Sequence, residues 1–387
     1  MKKALHLVTD EKFIDGMIEM MDSIDGVASS YATLNHQPFE FIKSDKVEEI
    51  SGDAFRQKCI DSAEYDYVFL HSFSSLPYDL IHRIHPSIKV IWFSFGYDVY
   101  SNHWPEYKLI PINNRIDDFK SKILYLYGRN WSPYALLGMT KQIIKYGTNV
   151  RKRFLNAVKR VDYYSGVFPE EYGLAKCNLD FRAKPFSFNY TAPAAVYPFH
   201  ETDIESEIPV KNGSILIGNS ATPLLNHIST LKILYRRGIN DRKVILPLSY
   251  SGTKKYVNYV LKTAHKLFPG LVVPLIDFVP YDEYNNLISS ASIAIFNIKQ
   301  QASVGNILLA LWAGQKVFFP KDSMNFRHFT DIGMRVYGIE DELTEENIAI
   351  PLNKEDIQNN RRAIIAHYSI PEVHKRILTS FNMITIE

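Results

Sequence analysis

The strongest constraint on the fold is a rhythm in the chain. Short apolar runs rich in β-branched and aromatic residues alternate with longer amphipathic segments. In the first half the runs are residues 4–9, 39–43, 67–71, 90–95 and 161–166; in the second they are 214–218, 243–248, 271–276, 292–297 and 316–320. Helical patterns lie between most of them, for example 224–237, 254–268, 282–290 and 303–312. Near-continuous apolar runs suit strands covered on both faces, and the intervening helices are what cover them. The sequence therefore predicts an α/β fold with parallel sheets.

The two series are separated by residues 189–213, which hold Pro193, Pro198, Pro209, a group of acidic residues and Asn212-Gly213, all chemistry that breaks regular structure. The chain of 387 residues is long enough for about two domains. The expected division is 1–200 and 201–387, two doubly wound domains facing a cleft, with the last helix able to pack back on the first domain. Ligands of such sheets bind beyond the carboxyl ends of the strands, so the residues just after each run are the ones to read.

Several chemistries are missing. Gly-x-Gly does not occur, which removes the dinucleotide fingerprint, and neither a Gly-Lys-Ser/Thr phosphate loop nor a Gly-x-Ser-x-Gly nucleophile elbow is present. Asp-x-Asp is absent, and His82 and His85, three apart, read as a solvated helix end, so neither a metal nor another cofactor is expected. Cys59 and Cys177 read as free thiols in a reducing compartment. The N-terminus, which opens with two lysines, runs into acidic residues and reads as a buried strand, not a signal peptide. No apolar run is long enough to span a bilayer. The protein is expected to be intracellular, free or on a membrane surface.

Three strand ends in the second half carry small, polar turns. Residues 214–220 run from a strand into Gly218-Asn219-Ser220, with Asn226 and His227 in the helix that follows. Residues 300–306, Gln300 to Asn306, join a strand to a helix, with Ser303 placed to cap it and Gly305 in its first turn. Pro247-Leu248-Ser249-Tyr250-Ser251-Gly252 forms the third, where Tyr250 is placed to stack on or bond to a nucleotide. Glycine lets a backbone approach a ligand closely, and the N–H groups at a helix start favour anions. Each junction alone could simply turn the chain; together they point to a nucleotide-diphosphate site.

These residues resemble a known family. Leu216-Ile217-Gly218-Asn219-Ser220 followed by Asn226-His227-Ile228, then Pro247-Leu248-Ser249-Tyr250, Asp282-Glu283-Tyr284, and Gln300-Gln301 with Gly305, are similar to the TDP-N-acetylfucosamine:lipid II N-acetylfucosaminyltransferases, the 4-acetamido-4,6-dideoxygalactose transferases of enterobacterial common antigen assembly. The likeness is clear over roughly residues 213–330 and thinner before, where Phe69-Leu70-His71 and residues 92–100 with Asp98 carry it. It implies a GT-B fold and an inverting, metal-independent transfer of a deoxyamino sugar from a nucleotide-diphosphate donor, with TDP as the expected nucleotide. It also implies an undecaprenyl-diphosphate-linked glycan as acceptor, and peripheral attachment to the cytoplasmic face of the bacterial inner membrane.

An inverting transfer needs a base for the acceptor hydroxyl and hydrogen-bond donors on the leaving diphosphate. Asp98, following the run 90–95, is the expected base, with His71 as its partner or the reverse. Gly218, Asn219, Ser220 and Gly305 are expected to hold phosphates, and His227 and Lys299 to offset leaving-group charge. Tyr250, Gln300 and Gln301 are expected to orient base or sugar. Asp282 and Glu283 open a helix and are read either as donor ligands or as an N-cap and a solvated first-turn acid.

Charge supplies the last clue. Formal net charge is only +2, yet residues 119–161 carry ten Lys/Arg and no Asp or Glu. Large apolar side chains, Trp131 among them, are interleaved with Lys141 and Lys145, and Arg151, Lys152 and Arg153 crowd the end. Aromatic anchors beside cations suit an anionic membrane surface or the acceptor's diphosphate. A helix packing its apolar face on a sheet gives the same pattern. Nucleic acid is disfavoured, since no other basic block or nucleic-acid motif exists. Two other functions fit the fold class: a nucleotide-sugar epimerase, which needs no lipid-facing surface, and a non-catalytic nucleotide-sugar-binding scaffold.

Overall fold

Buried parallel strands need side chains that fill space on both faces, and the apolar runs supply them. The computed structural model describes residues 1–34, 38–100, 115–129, 144, 150–188, 199–277 and 279–386. They divide into two units, one of Met1–Leu109, Leu137–Pro198 and Tyr368–Glu387, the other of Ile110–Leu136 and Phe199–His367. Among the described residues, 115–129 group with the second unit.

The first unit carries β1 (Lys2–Leu7), β2 (Val27–Thr33), β3 (Val47–Glu49), β4 (Tyr67–His71), β5 (Lys89–Phe93), β6 (Tyr163–Ser165) and β7 (Lys184–Pro185). They form one sheet in the order β3-β2-β1-β4-β5-β6-β7, with every pairing parallel. β4 is buried along its whole length. The helix Ile370–Ile386 closes one face: Val373, Ile377, Phe381 and Ile384, at helical spacing, pack with Ala4, Tyr67 and Phe69 in one core.

The second unit carries β8 (Ile215–Ile217), β9 (Val244–Pro247), β10 (Val272–Leu275), β11 (Ile293–Ile295), β12 (Lys316–Phe319) and β13 (Tyr337–Gly338), again all parallel, in the order β10-β9-β8-β11-β12-β13. β8, β9, β11 and β12 are buried throughout. Tyr256, Val260 and Ala264, four apart on the helix Lys254–Leu267, pack against this sheet. A side chain the size of Val260 contributes roughly 1.5–3 kcal/mol on burial.

In both sheets the chain starts at a central strand, builds outward to one side, then returns to build the other. Strand order reverses between β1 and β4 in the first sheet and between β8 and β11 in the second. Connections leave these neighbours in opposite directions, which opens a crevice at their carboxyl ends and makes it the favoured ligand position.

The expected strand at residues 39–43 does not form. The Asp10 carboxylate accepts the backbone N–H groups of Glu40, Phe41 and Ile42, and Asp15 accepts those of Lys43 and Ser44. Side-chain acceptors satisfy the donors that a sheet ladder would have used. On this side of the sheet β1 pairs instead with β2, whose small and polar residues hid it, and the short β3 forms the edge.

Candidate functional site

The second sheet's reversal point is built from polar residues that lock two loops together. Leaving β8, Gly218 takes φ +65°, and a Cβ there would lie 3.0 Å from Leu225 Cδ1 and 3.2 Å from His227 Nε2. A glycine is what lets the chain turn over the imidazole. The Ala221 N–H donates to the Tyr250 carbonyl at 2.7 Å, and Gly252 sits so close to Ala221 that an added Cβ would meet it at 2.3 Å. The loops after β8 and β9 are thereby tied, and the Tyr250 side chain is left 61% exposed.

Across the reversal point, the loop leaving β11 leads to the helix Val304–Trp312. Ser303 does not cap this helix as expected. It adopts φ +64° and its Oγ donates to Asn219 Oδ1 at 2.7 Å, bridging the two loops. The helix therefore starts with no side-chain cap bond, Gly305 in its first turn, and its N–H groups form the positive end of a helix dipole at the carboxyl end of the sheet.

Behind this surface lies a buried polar frame. Asn226, in the left-handed region at φ 49°, donates to the carbonyls of Arg115 and Asn297 at 2.9 and 3.0 Å and accepts the Asp117 N–H at 2.9 Å. Arg115, 1% exposed, donates from Nη1 to Gln300 Oε1 at 2.7 Å. Gln301 and Ser220 are also buried. Arg115 was not found from the sequence, because an isolated arginine outside any strand-end pattern gives no signal.

Of the two expected cations, one is a neutral ring and the other is already ion-paired. His227 is fully buried, with Nδ1 against Tyr256 Oη at 3.1 Å, and burial holds its pKa down at about 4 against a weaker pull from the Ser220 backbone, so the ring is neutral at physiological pH. Its Nε2, the atom facing Gly218, has no hydrogen-bond partner among the described residues. Lys299 is ion-paired with Asp322, which already offsets its charge. Asp282 and Glu283 are in the first turn of the helix Tyr281–Ser290, whose N-cap position is Pro280, not Asp282; Glu283 is exposed.

In the first sheet, Asp98 lies beyond β5 and clamps two strand ends. Ser72 Oγ donates to its Oδ1 at 2.7 Å, while the N–H groups of Phe73 and Phe95 and the Trp92 indole donate to Oδ2 at 3.1, 3.0 and 3.2 Å. Burial pushes the carboxyl up to about 6 against the pull of these bonds. His71 is not among the donors, so the expected Asp98–His71 pair does not form. His71 is fully buried, with Nε2 3.0 Å from His6 Nδ1, and burial lowers the pKa of both rings. Glu171, beyond β6, is fully buried, accepts the Phe168 N–H at 2.9 Å, and is raised to about 7 by burial. Glu11, beyond β1, is half-buried, although one glutamate between an aspartate and a lysine reads in the sequence like any solvated loop.

The basic stretch is partly structural. Trp131, Lys141 and Lys145, and the side chain of Arg151, lie outside the described residues. Arg153 pairs with Asp79 at 3.2 Å, and Lys159 with Asp180 at 3.0 Å. Arg160 donates to the carbonyls of Ile84, His85 and Ile88 and to Asp162. Lys152 is exposed. On the helix Phe119–Arg129, Phe119 and Ile123, four apart, are 76% and 49% exposed beside Lys120 and Lys122. No helix among the described residues is long and apolar enough to cross a membrane.

Comparison with known proteins agrees with this architecture. Residues 192–377 match the family model described as 4-alpha-L-fucosyltransferase glycosyl transferase group 56, in accord with the resemblance read from the sequence. Solved structures give the fold. AviGT4, a glycosyltransferase involved in avilamycin A biosynthesis, has TM-score 0.51 at 11% identity, covering 100% of this chain and 98% of that one. Sucrose-phosphate synthase from Thermosynechococcus elongatus has TM-score 0.53 at 7% identity, with 100% and 98% covered. An alpha-glucosyltransferase solved with UDP and a 13-mer DNA has TM-score 0.53 at 13% identity, with 99% of each chain covered.

Proposed function

Proceeding from a glycosyltransferase of GT-B fold whose residues 192–377 carry the group 56 fucosyltransferase pattern, we propose that the chain transfers an N-acetylfucosamine-like deoxyamino sugar, with inversion and without a metal ion. The donor is a nucleotide-diphosphate sugar, TDP-linked, and the acceptor is an undecaprenyl-diphosphate-linked saccharide.

The observation that carries this reading is the construction of the β8/β11 reversal point. Transfer adds a negative charge to the two already on the departing diphosphate, and stabilising it requires donors already in position. The uncapped start of Val304–Trp312 offers backbone N–H groups, and Gly218 keeps the facing turn free of side-chain bulk. His227 Nε2, buried and unpartnered among the described residues, is available as a neutral donor in the tautomer that carries its proton there. Arg115 adds a buried positive charge, held by Gln300. Tyr250, exposed on the loop tied to this turn, offers a ring for the nucleotide base.

A lipid-linked acceptor brings the enzyme to a membrane surface on the cytoplasmic side. Phe119 and Ile123 with Lys120 and Lys122 are the described residues best suited to it, apolar side chains entering the headgroup layer with cations around them. The test is a donor screen by thermal unfolding with TDP-, UDP- and GDP-sugars, since a ligand that binds the folded state raises the melting temperature. The expected result is stabilisation by a TDP-deoxyamino sugar above the others, followed by transfer to a polyprenyl-diphosphate acceptor with an inverted anomeric centre. Equal indifference to every sugar nucleotide would refute the reading.

A further inference from the structure

We propose that Glu11 is the general base of the reaction, the residue that takes the proton from the acceptor hydroxyl, and that Asp98 positions the neighbouring loop instead. The inference rests on the transferase reading above and adds the residue that reading leaves open.

Glu11 lies four residues beyond β1, one of the two strands flanking the reversal point of the first sheet, where a ligand is favoured. β4, the other, leads into Ser72, a non-glycine residue at φ 77°. Backbone strain of this kind persists where surrounding structure over-determines it, and it concentrates at functional sites. The crevice is therefore marked twice, by topology and by strain.

The backbone on both sides of Glu11 is held. Asp10 accepts three N–H groups from residues 40–42, at 2.6, 3.0 and 3.0 Å, and the Glu11 carbonyl accepts the Ile14 N–H at 3.2 Å where the helix Ile14–Asp22 begins. The Glu11 side chain itself is half-buried and makes no hydrogen bond or ion pair among the described residues. Two residues earlier, Thr9 Oγ1 is buried and also without a partner there. A pinned main chain carrying unengaged polar atoms is the arrangement a substrate completes.

The nearby acid and base groups Asp98, Asp10, Glu171, His6 and His71 are each either engaged by several donors or sealed from solvent. Asp98 accepts four hydrogen bonds, three of them on one oxygen. Asp10 is saturated by backbone donors. Glu171 is sealed from solvent, and His6 and His71 form a buried neutral pair. Burial holds the Glu11 carboxyl above its ordinary range; the charges of Asp10 and Asp98 add to the effect, and that of Lys12 opposes it. A carboxylate whose pKa is raised is a stronger base than a solvated glutamate.

In the transfer step the hydroxyl proton moves to a Glu11 carboxylate oxygen, and the electron pair of the O–H bond stays on the acceptor oxygen as it forms the bond to the anomeric carbon. The bond from that carbon to the phosphate oxygen breaks, and its electron pair leaves with the nucleotide diphosphate.

The experiment compares the wild type with Glu11→Gln and Glu11→Asp in a transfer assay across pH, with donor binding followed by thermal shift. Glu11→Gln should lose about a hundredfold or more in kcat, keep the donor-induced shift, and lose the acidic limb of the kcat/KM profile. Glu11→Asp, which keeps a carboxylate, should retain that limb and more activity than Glu11→Gln. Glu11→Gln retaining more than about a tenth of wild-type kcat, keeping the limb, or losing the donor shift overturns the assignment. A wild type that neither binds nor transfers from any sugar nucleotide instead overturns the transferase reading beneath it.

Discussion

Replacing Asp98 by asparagine separates a clamp from a base. Asparagine keeps the shape: its oxygen can take the Oδ2 position and accept from Phe73, Phe95 and Trp92, while its amide donates to Ser72 Oγ, which as a hydroxyl can turn to accept. What it removes is a charge. With a folded-state pKa of about 6 against 3.8 for an ordinary aspartate, the carboxyl's favourable contribution is complete below 3.8 and is lost as pH rises through 6. Each pH decade between the two is equivalent to about 1.4 kcal/mol. The amide does not titrate, so the stability of Asp98→Asn relative to wild type should increase by about 2 kcal/mol from about pH 4.5 to about pH 8. Urea unfolding of both proteins at several pH values reads this directly, and the constant cost of swapping one acceptor for an amide cancels in the difference. Transfer activity at neutral pH should remain within about tenfold of wild type, because the loops stay tied. A relative stability that falls with pH would show that the four hydrogen bonds outweigh burial. Abolished transfer in a well-folded variant that still binds donor would return the base to Asp98.

Two further substitutions probe the rest of the molecule. Gly218→Ala places a side chain in the left-handed region, which costs about 1–2 kcal/mol, and brings a methyl to 3.2 Å from His227 Nε2; denaturant unfolding should register the loss, donor affinity should fall with it, and an unchanged midpoint and affinity would refute the role given to this turn. Phe119→Glu with Ile123→Glu should abolish sedimentation with anionic vesicles while shifting stability by less than about 0.5 kcal/mol, since both side chains are largely exposed; retained sedimentation would place the membrane contact elsewhere.

The sheets were legible because buried parallel strands must be continuous apolar runs, and those at 67–71, 90–95, 243–248 and 316–320 meet β4, β5, β9 and β12 within two residues. β2 was not legible, since Val27–Thr33 mixes alanine, serine and threonine with few large apolar groups, and edge pairs as short as β7 and β13 carry almost no periodicity. The residues of the β8 and β11 loops were visible as small polar turns. Their partners were not: nothing local ties Ser303 to Asn219, or Arg115 to Gln300 across 185 positions. Protonation was also hidden. His227 reads as a cation until burial makes it neutral, and Arg153 reads as a membrane ligand until Asp79 is found beside it.

The two reversal points share a topology and differ in charge, which bears on how a transferase of this kind works. Beyond the first sheet lie carboxyls, with Glu11 unengaged; beyond the second lie a bare helix start, a neutral imidazole and an arginine sealed from solvent. A solvated lysine follows a diphosphate through ground state and transition state alike, since it reorients with the charge, and so accelerates little. Fixed N–H groups cannot reorient, and what they gain depends on where the charge goes. The neutrality of His227 and the pairing of Lys299 with Asp322 therefore strengthen the proposed chemistry instead of weakening it. Stabilisation that depends on position, not on net charge, rises as the leaving oxygen takes up the electron pair, and only interactions that strengthen in the transition state raise kcat.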